Sequence, residues 1–192
     1  MGLEGNLVIL REERVEDLLF LVGLRNDLET QAWSKTLPPD YTEAMYRKRY
    51  EEREFSYTRH DGRFIIEVKQ TQEKAGTISY VWLEPRWSAS MGIMVAQKFW
   101  GTGIAVDSQE VLLKFLFEEL GLRVVRLYTH SGNQAAVKLA QKSGFQISGW
   151  QRKSIYKNGR LYDNLLMDIL REEYYQRHPE IEDHLPGFPE NG

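Results

Sequence analysis

Gly92-Ile-Met-Val-Ala-Gln-Lys-Phe-Trp-Gly-Thr-Gly-Ile-Ala105 reads as a strand that runs into a glycine-containing loop and opens a helix. Gly101 and Gly103 let the backbone approach a ligand with no Cβ in the way. Free N–H groups and the positive end of the helix dipole at such a turn favour a phosphate or diphosphate. A tight strand-to-helix turn with no ligand accounts for the same two glycines equally well. Two better-known phosphate loops are excluded. The dinucleotide fingerprint needs a third glycine where Val106 stands, and the nucleoside-triphosphate loop needs a Gly-Lys-Ser/Thr run where Gly103-Ile104-Ala105 stands.

Upstream, Leu7–Leu10 is a short apolar run that predicts an edge strand, and Val15, Leu18, Leu19 and Val22 recur at helical spacing over Glu12–Arg25. Asn26–Pro39 is loop-like and carries Trp33. A charged stretch from Thr42 to Glu54 predicts an exposed helix. Phe64–Val68, Ala75–Leu83 and Gly92–Val95 read as antiparallel strands. Downstream, a long amphipathic helix buries Val111 or Leu112, Phe115, Leu116 and Leu120, and stops at Gly121. Val124–Thr129 is a β-branched strand, and Asn133 caps a short helix to Lys142. Strands Phe145–Trp150 and Leu161–Ile169 flank an Asn158-Gly159 hairpin turn. Arg171–His178 is helical. The order β-α-α-β-β-β-α-β-α-β-β is an α/β (α+β) mixture, and its antiparallel first half argues against a doubly wound parallel sheet.

The 192 residues make one domain, read as 1–177 with an extended tail over 178–192. The net charge of −3 gives no attraction for polyphosphate, so nucleic acid is not the expected partner, and the acidic balance leans toward cationic substrates such as amines. There is no cysteine, which removes disulfides and thiolate sites, and the four histidines show no metal-ligand spacing, so no metal is expected. The longest early apolar run, Leu18–Leu24, is far too short to span a membrane, and the start lacks a signal-peptide pattern. The expected location is the cytoplasm.

The loop resembles the acetyl-CoA loop of the GNAT superfamily of N-acetyltransferases, usually written Arg/Gln-x-x-Gly-x-Gly/Ala. Trp100, Gly103 and Ala105 stand at its positions. An aromatic at the first is similar to the branch of ribosomal-protein alanine and spermidine/diamine acetyltransferases. Asn133, Ala136 and Lys142-Ser-Gly-Phe145 resemble the family's Asn-x-x-Ala…Lys-x-Gly-Phe element, and Tyr156-Lys-Asn-Gly-Arg-Leu-Tyr-Asp163 resembles that branch's closing hairpin. Leu10-Arg11…Asp17 and Leu24-Arg25-Asn26-Asp27 resemble its first strand and helix. The likeness spans roughly residues 6–176. It implies a GNAT fold, a mixed, mostly antiparallel twisted sheet flanked by helices, with a central strand pair that splays. It implies acetyl-CoA as co-substrate and an amine as acceptor: a polyamine, an amino sugar or a protein N-terminus. A homodimer is also expected.

By the resemblance, Gly101, Thr102, Gly103, Ile104 and Ala105 hold the diphosphate, Met94 and Val95 meet the pantetheine arm, and Asn133 contacts the cofactor. Three usual catalytic side chains are missing. The tyrosine position is Ala140, the serine position is Ala136, and the glutamate position is Ser90. Catalytic candidates are therefore Tyr128, which stands where amino-terminal acetyltransferases often place a glutamate, and His130, on the same strand face by alternation. Each also reads as a packed, hydrogen-bonded side chain, the commoner state of such residues. Glu84 is a further candidate base, Trp33, Tyr80 and Trp82 candidate walls of the acceptor pocket, and Glu67 and Glu73 surface charges. The missing side chains keep a second class open, a non-catalytic acyl-CoA-binding or regulatory protein.

Overall fold

The structure, a computed structural model, describes residues 3–31, 41–54 and 61–182. Strands β1 (Leu3–Glu4) and β2 (Val8–Glu12) lead into helices α1 (Leu18–Asn26), α2 (Leu28–Gln31) and α3 (Glu43–Glu54). A meander of β3 (Asp61–Val68), β4 (Lys74–Glu84) and β5 (Ser88–Val95) precedes α4 (Ile104–Lys114). Then come β6 (Val124–His130), α5 (Gln134–Lys142), β7 (Gln146–Lys157), β8 (Arg160–Leu170) and α6 (Arg171–Arg177). The strands form one sheet in the order β1-β2-β3-β4-β5-β6-β8-β7. All neighbours are antiparallel except β5 and β6, as the mixed-sheet reading requires.

Some boundaries differ from the reading of the sequence. Leu7–Leu10 is not an edge, because β1 folds back on β2. The strand expected over Gly92–Val95 begins four residues earlier at Ser88, where small polar residues hide the apolar alternation. The first arm of the last hairpin runs on to Lys157, well past the expected Trp150, because β7 is largely exposed and lacks a clear apolar alternation, whereas β8 is mostly half-buried and stands close to its expected span. Its turn is the expected one: Asn158 (φ 51) and Gly159 (φ 74) both take the positive angles that a type I′ turn demands. The segment carrying Trp33 and the tail beyond Glu182 lie outside the described residues. No helix among them is long and apolar enough to cross a membrane.

Helix α4 packs on one sheet face, over Ile66, Ile78, Met91, Val125 and Met167, through Leu112, Leu113, Leu116 and Phe117. The two adjacent pairs, Leu112-Leu113 and Leu116-Phe117, stand four residues apart and so share one face. Beyond them the helix ends in a π turn, with the Leu120 N–H donating to the Phe115 carbonyl at 3.0 Å. Each large side chain buried in this way contributes roughly 1.5–3 kcal/mol. On the opposite face α1 and α3 cover Ile65 with Leu18, Leu21 and Tyr46.

An ionic cluster fixes the start of α1. Fully buried Asp17 accepts from both terminal nitrogens of Arg11 (2.7 and 2.9 Å), from the Arg14 N–H (2.9 Å) and from Lys74 Nζ (2.6 Å). Arg11 Nε donates to Glu67 at 2.8 Å, so two cations face two carboxylates. Burial by itself would raise the Asp17 carboxyl, but the hydrogen bonds from Arg11, Lys74 and Arg14 outweigh it and hold it well below the usual carboxylate range.

Candidate active site

The parallel ladder between β5 and β6 has three rungs: Ser88–Val124, Ala89–Val125 and Ser90–Arg126. Beyond Ser90 the two strands part. β5 stays paired with β4 to Val95, while β6 stays paired with β8 to His130, so a wedge opens between them. The ladder polarity says which groups line it. At the far end of β5 the Ala96 N–H donates to Ala75, and at its start the Trp87 carbonyl accepts from Arg123. Hydrogen-bonding direction alternates along a strand. Ile93 and Val95 therefore turn their N–H and C=O groups into the wedge, whereas Met94 turns its own toward β4. Of the two strand residues expected to meet the cofactor, Val95 faces the wedge by its backbone and Met94 does not. Ile93 was missed, although a two-residue step back from Val95 would have found it. Close approach of β4 here requires Gly76, whose added Cβ would collide with the Met94 carbonyl.

From Val95 the chain makes a short 3-10 turn and reaches the glycine loop. Gly101 (φ 76) and Gly103 (φ 88) are left-handed, a conformation costly for other residues. Trp100 Nε1 donates back to the Val95 carbonyl at 2.8 Å and Thr102 Oγ1 to the Phe99 carbonyl at 2.7 Å. The Thr102 hydroxyl thus shapes the loop. No side chain caps α4 at Gly103, and its first helical bond runs from the Asp107 N–H to the Gly103 carbonyl at 3.0 Å. The N–H groups of Ile104, Ala105 and Val106 have no intrahelical partner. An exposed, uncapped helix start beside two left-handed glycines fits the diphosphate of an acyl-CoA.

Tyr128 stands two residues past the last rung, 42% exposed, on the strand face it shares with Arg126 and, across the ladder, with Ser90. His130 follows on that face but is 1% exposed, its ring 5.1 Å from that of Tyr162. Asn133 caps α5, its Oδ1 accepting from the Ala136 N–H at 3.1 Å. Ala140 is buried in the core and Ala136 half-buried, so neither helix position supplies a hydroxyl. Tyr80 and Trp82 lie on the α4 side of β4; Tyr80 is buried against Phe115, and Trp82 packs on the same core. Both therefore sit in the core on that side of the sheet. Glu84 pairs with Ser88, at the closed end of the wedge. Glu67 is bound to Arg11, and Glu73 to Lys98 at 2.6 Å. A hollow of about 560 Å³ lined by Glu118, Glu119, Arg171, Tyr175, Glu180 and Glu182 lies at the opposite end of α4 from the loop.

Residues 7–146 match the acetyltransferase (GNAT) domain family. A prophage-derived N-acetyltransferase of uncharacterised function from Bacillus subtilis, YokL, is 29% identical over 114 residues, 59% of this chain and 58% of its own length. The chain spans 58 to 64% of the length of the first Bacillus relatives it matches. The spermidine N(1)-acetyltransferase of Vibrio cholerae is 26% identical over 167 residues, 84% of this chain and 91% of its own. The crystal structure of spermidine N-acetyltransferase from Vibrio cholerae in complex with CoA and spermine superposes with a TM-score of 0.78 at 25% identity, covering 87% of this chain and 97% of that one. With the family match extending over most of its length, and the splayed pair and glycine loop in place, this chain belongs to the GNAT acetyltransferase family.

Proposed function

We propose that the protein is an acetyl-CoA-dependent N-acetyltransferase acting on a primary amine. The observation that carries this reading is the wedge between β5 and β6, opening onto an uncapped helix start with two left-handed glycines. Acetyl-CoA would supply an acyl group activated as a thioester. The chain's part is to hold and orient. Amides at Gly101–Ala105 would hold the diphosphate, and Ile93 and Val95 would pair with the pantetheine amides as an added strand would. A backbone N–H in the wedge would meet the thioester carbonyl oxygen and stabilise the charge that develops there. Tyr128, two residues past the last rung of the β5–β6 ladder, would donate from its hydroxyl to the departing sulfur. An alkylammonium titrates near ~10.4, so the acceptor must lose a proton before attack, and the strand positions flanking the wedge, Gly92–Val95 and Leu127–His130, carry no carboxylate for that task. Water or bulk base serves instead, with positioning supplying much of the rate.

A polyamine acceptor is favoured by the chain's acidic balance and by the likeness to spermidine acetyltransferases. We also read the protein as cytoplasmic and as a homodimer. Among the described residues β7 ends the sheet order with its outer edge unpaired, and Trp150 and Tyr156 are 64% and 74% exposed on it. Thioester consumption with a panel of spermidine, an amino sugar and an N-terminal peptide tests the activity. Turnover on at least one arm is expected. Acetyl-CoA binding with no turnover on any arm between pH 6 and 10 would instead select the non-catalytic binding class.

A further inference from the structure

The first turn of α4 carries a carboxylate where the cofactor reading wants no negative charge. Asp107 sits three residues inside the helix that begins at Ile104, a few ångströms along the chain from the amides assigned to a diphosphate. Left free, it would oppose that anion. It is not free. Asp107 Oδ1 accepts from the Asn6 N–H at 3.0 Å, and Oδ2 accepts from the N–H groups of Leu7 and Val8 at 2.7 and 3.0 Å. Three backbone donors a hundred residues away in sequence thus converge on one side chain. A carboxylate so bound has its charge spread over fixed dipoles.

The donors sit in the turn between β1 and β2. The Gly5 N–H closes this turn on the Val8 carbonyl at 2.9 Å. Gly5 is required there, because a Cβ would collide with Asp107 Oδ2 and would come within 2.6 Å of Val111 Cγ2. The same turn reaches the loop directly. Leu7 Cδ1 lies 3.4 Å from where a Cβ on Gly103 would stand. The amino-terminal turn and the start of α4 are therefore one packed unit, clasped by Asp107.

We propose that Asp107 is a positioning residue for acetyl-CoA. It fixes the start of α4, and with it the Gly103–Val106 amides, against the β1–β2 turn, and it spends its charge on that turn rather than on the incoming diphosphate. The proposal rests on the assignment of the glycine loop as the diphosphate site. It assigns to residues 5–8, in the turn between β1 and β2, control over cofactor affinity.

Asp107→Asn presents an amide N–H₂ to one side of a three-donor cluster, so a donor faces a donor. Gly5→Ala pushes on the same carboxylate from outside. Each should raise the KM and the dissociation constant for acetyl-CoA about tenfold, leave kcat within about twofold, and leave the amine KM unchanged. Because both break one clasp, the double variant should be no worse than the poorer single one. Gly103→Val is the control for the assignment itself, since a β-branched residue at φ 88 strains the loop backbone that presents the amides. If Gly103→Val abolishes binding while both clasp variants keep the wild-type acetyl-CoA KM at a lowered melting temperature, Asp107 is structural and the proposal falls. If Gly103→Val binds acetyl-CoA normally, the loop assignment falls first.

Discussion

Tyr128 takes the one place on β6 that combines exposure with the wedge. His130 was its rival on alternation alone. Alternation holds, but the chain crosses from the open wedge to a covered stretch within two residues, because the Tyr162 ring closes over His130 and Gly132. Burial of this kind depends on a strand more than thirty residues away, which no local pattern records. Tyr128→Phe should lower kcat about 10²-fold or less, the low end of general acid–base contributions, with acetyl-CoA affinity kept. His130→Ala should lower the melting temperature more than the rate. In the wild type kcat/KM for the amine should climb with pH as free amine becomes available. A pH-independent rate, or a loss far beyond 10²-fold in Tyr128→Phe, would show a dedicated proton-transfer group that positioning does not explain.

Among the elements, the entry to α1 rests on charge more than on capping. The Asp17 carboxyl is depressed in the folded state, so its contribution is complete above the unfolded value near ~3.9 and is lost as pH falls through the folded value. Asp17→Asn leaves Arg11 and Lys74 short of a buried anion and should cost about 3 kcal/mol at pH 7. Urea unfolding should show that gap narrowing below about pH 4, and a gap that stays constant down to pH 2 would refute the account. Element identity was legible along the chain wherever apolar spacing was strong: α4, β3, β4 and β6 stand where periodicity puts them. Two kinds of information were not. Small polar residues at Ser88–Ser90 conceal the first half of β5, including all three rungs of the parallel ladder. The polarity of β5, which separates Ile93 and Val95 from Met94, is set by pairing with β4 and cannot be seen in β5 alone. The glycine loop was legible because left-handed backbone has a chemical signature in residue type. The Asp107 clasp was not, since its donors are backbone groups and any sequence supplies those.

At the scale of the whole molecule, the unpaired outer edge of β7 and the exposed Trp150, Tyr156 and Leu161 make a surface that a monomer would leave liable to edge pairing. Light scattering should give twice the 22.5 kDa chain mass at micromolar concentration. A single-chain mass across a hundredfold concentration range would reject the dimer. The short parallel ladder has a consequence for motion. Two leaves, one of five strands and one of three, share a hydrogen-bonded spine only three rungs long. A spine that short should breathe before either leaf unfolds, and a ligand wedged above it touches both leaves at once. At a hundredfold excess over its dissociation constant such a ligand adds about 2.7 kcal/mol to the closed form. Hydrogen exchange should therefore slow most at Ala89, Ile93 and Val95 when acetyl-CoA is added, and hardly at all between β2 and β3. The cofactor would then act on this protein as a binding does on a book, holding two stiff halves in register along an edge too narrow to do so alone.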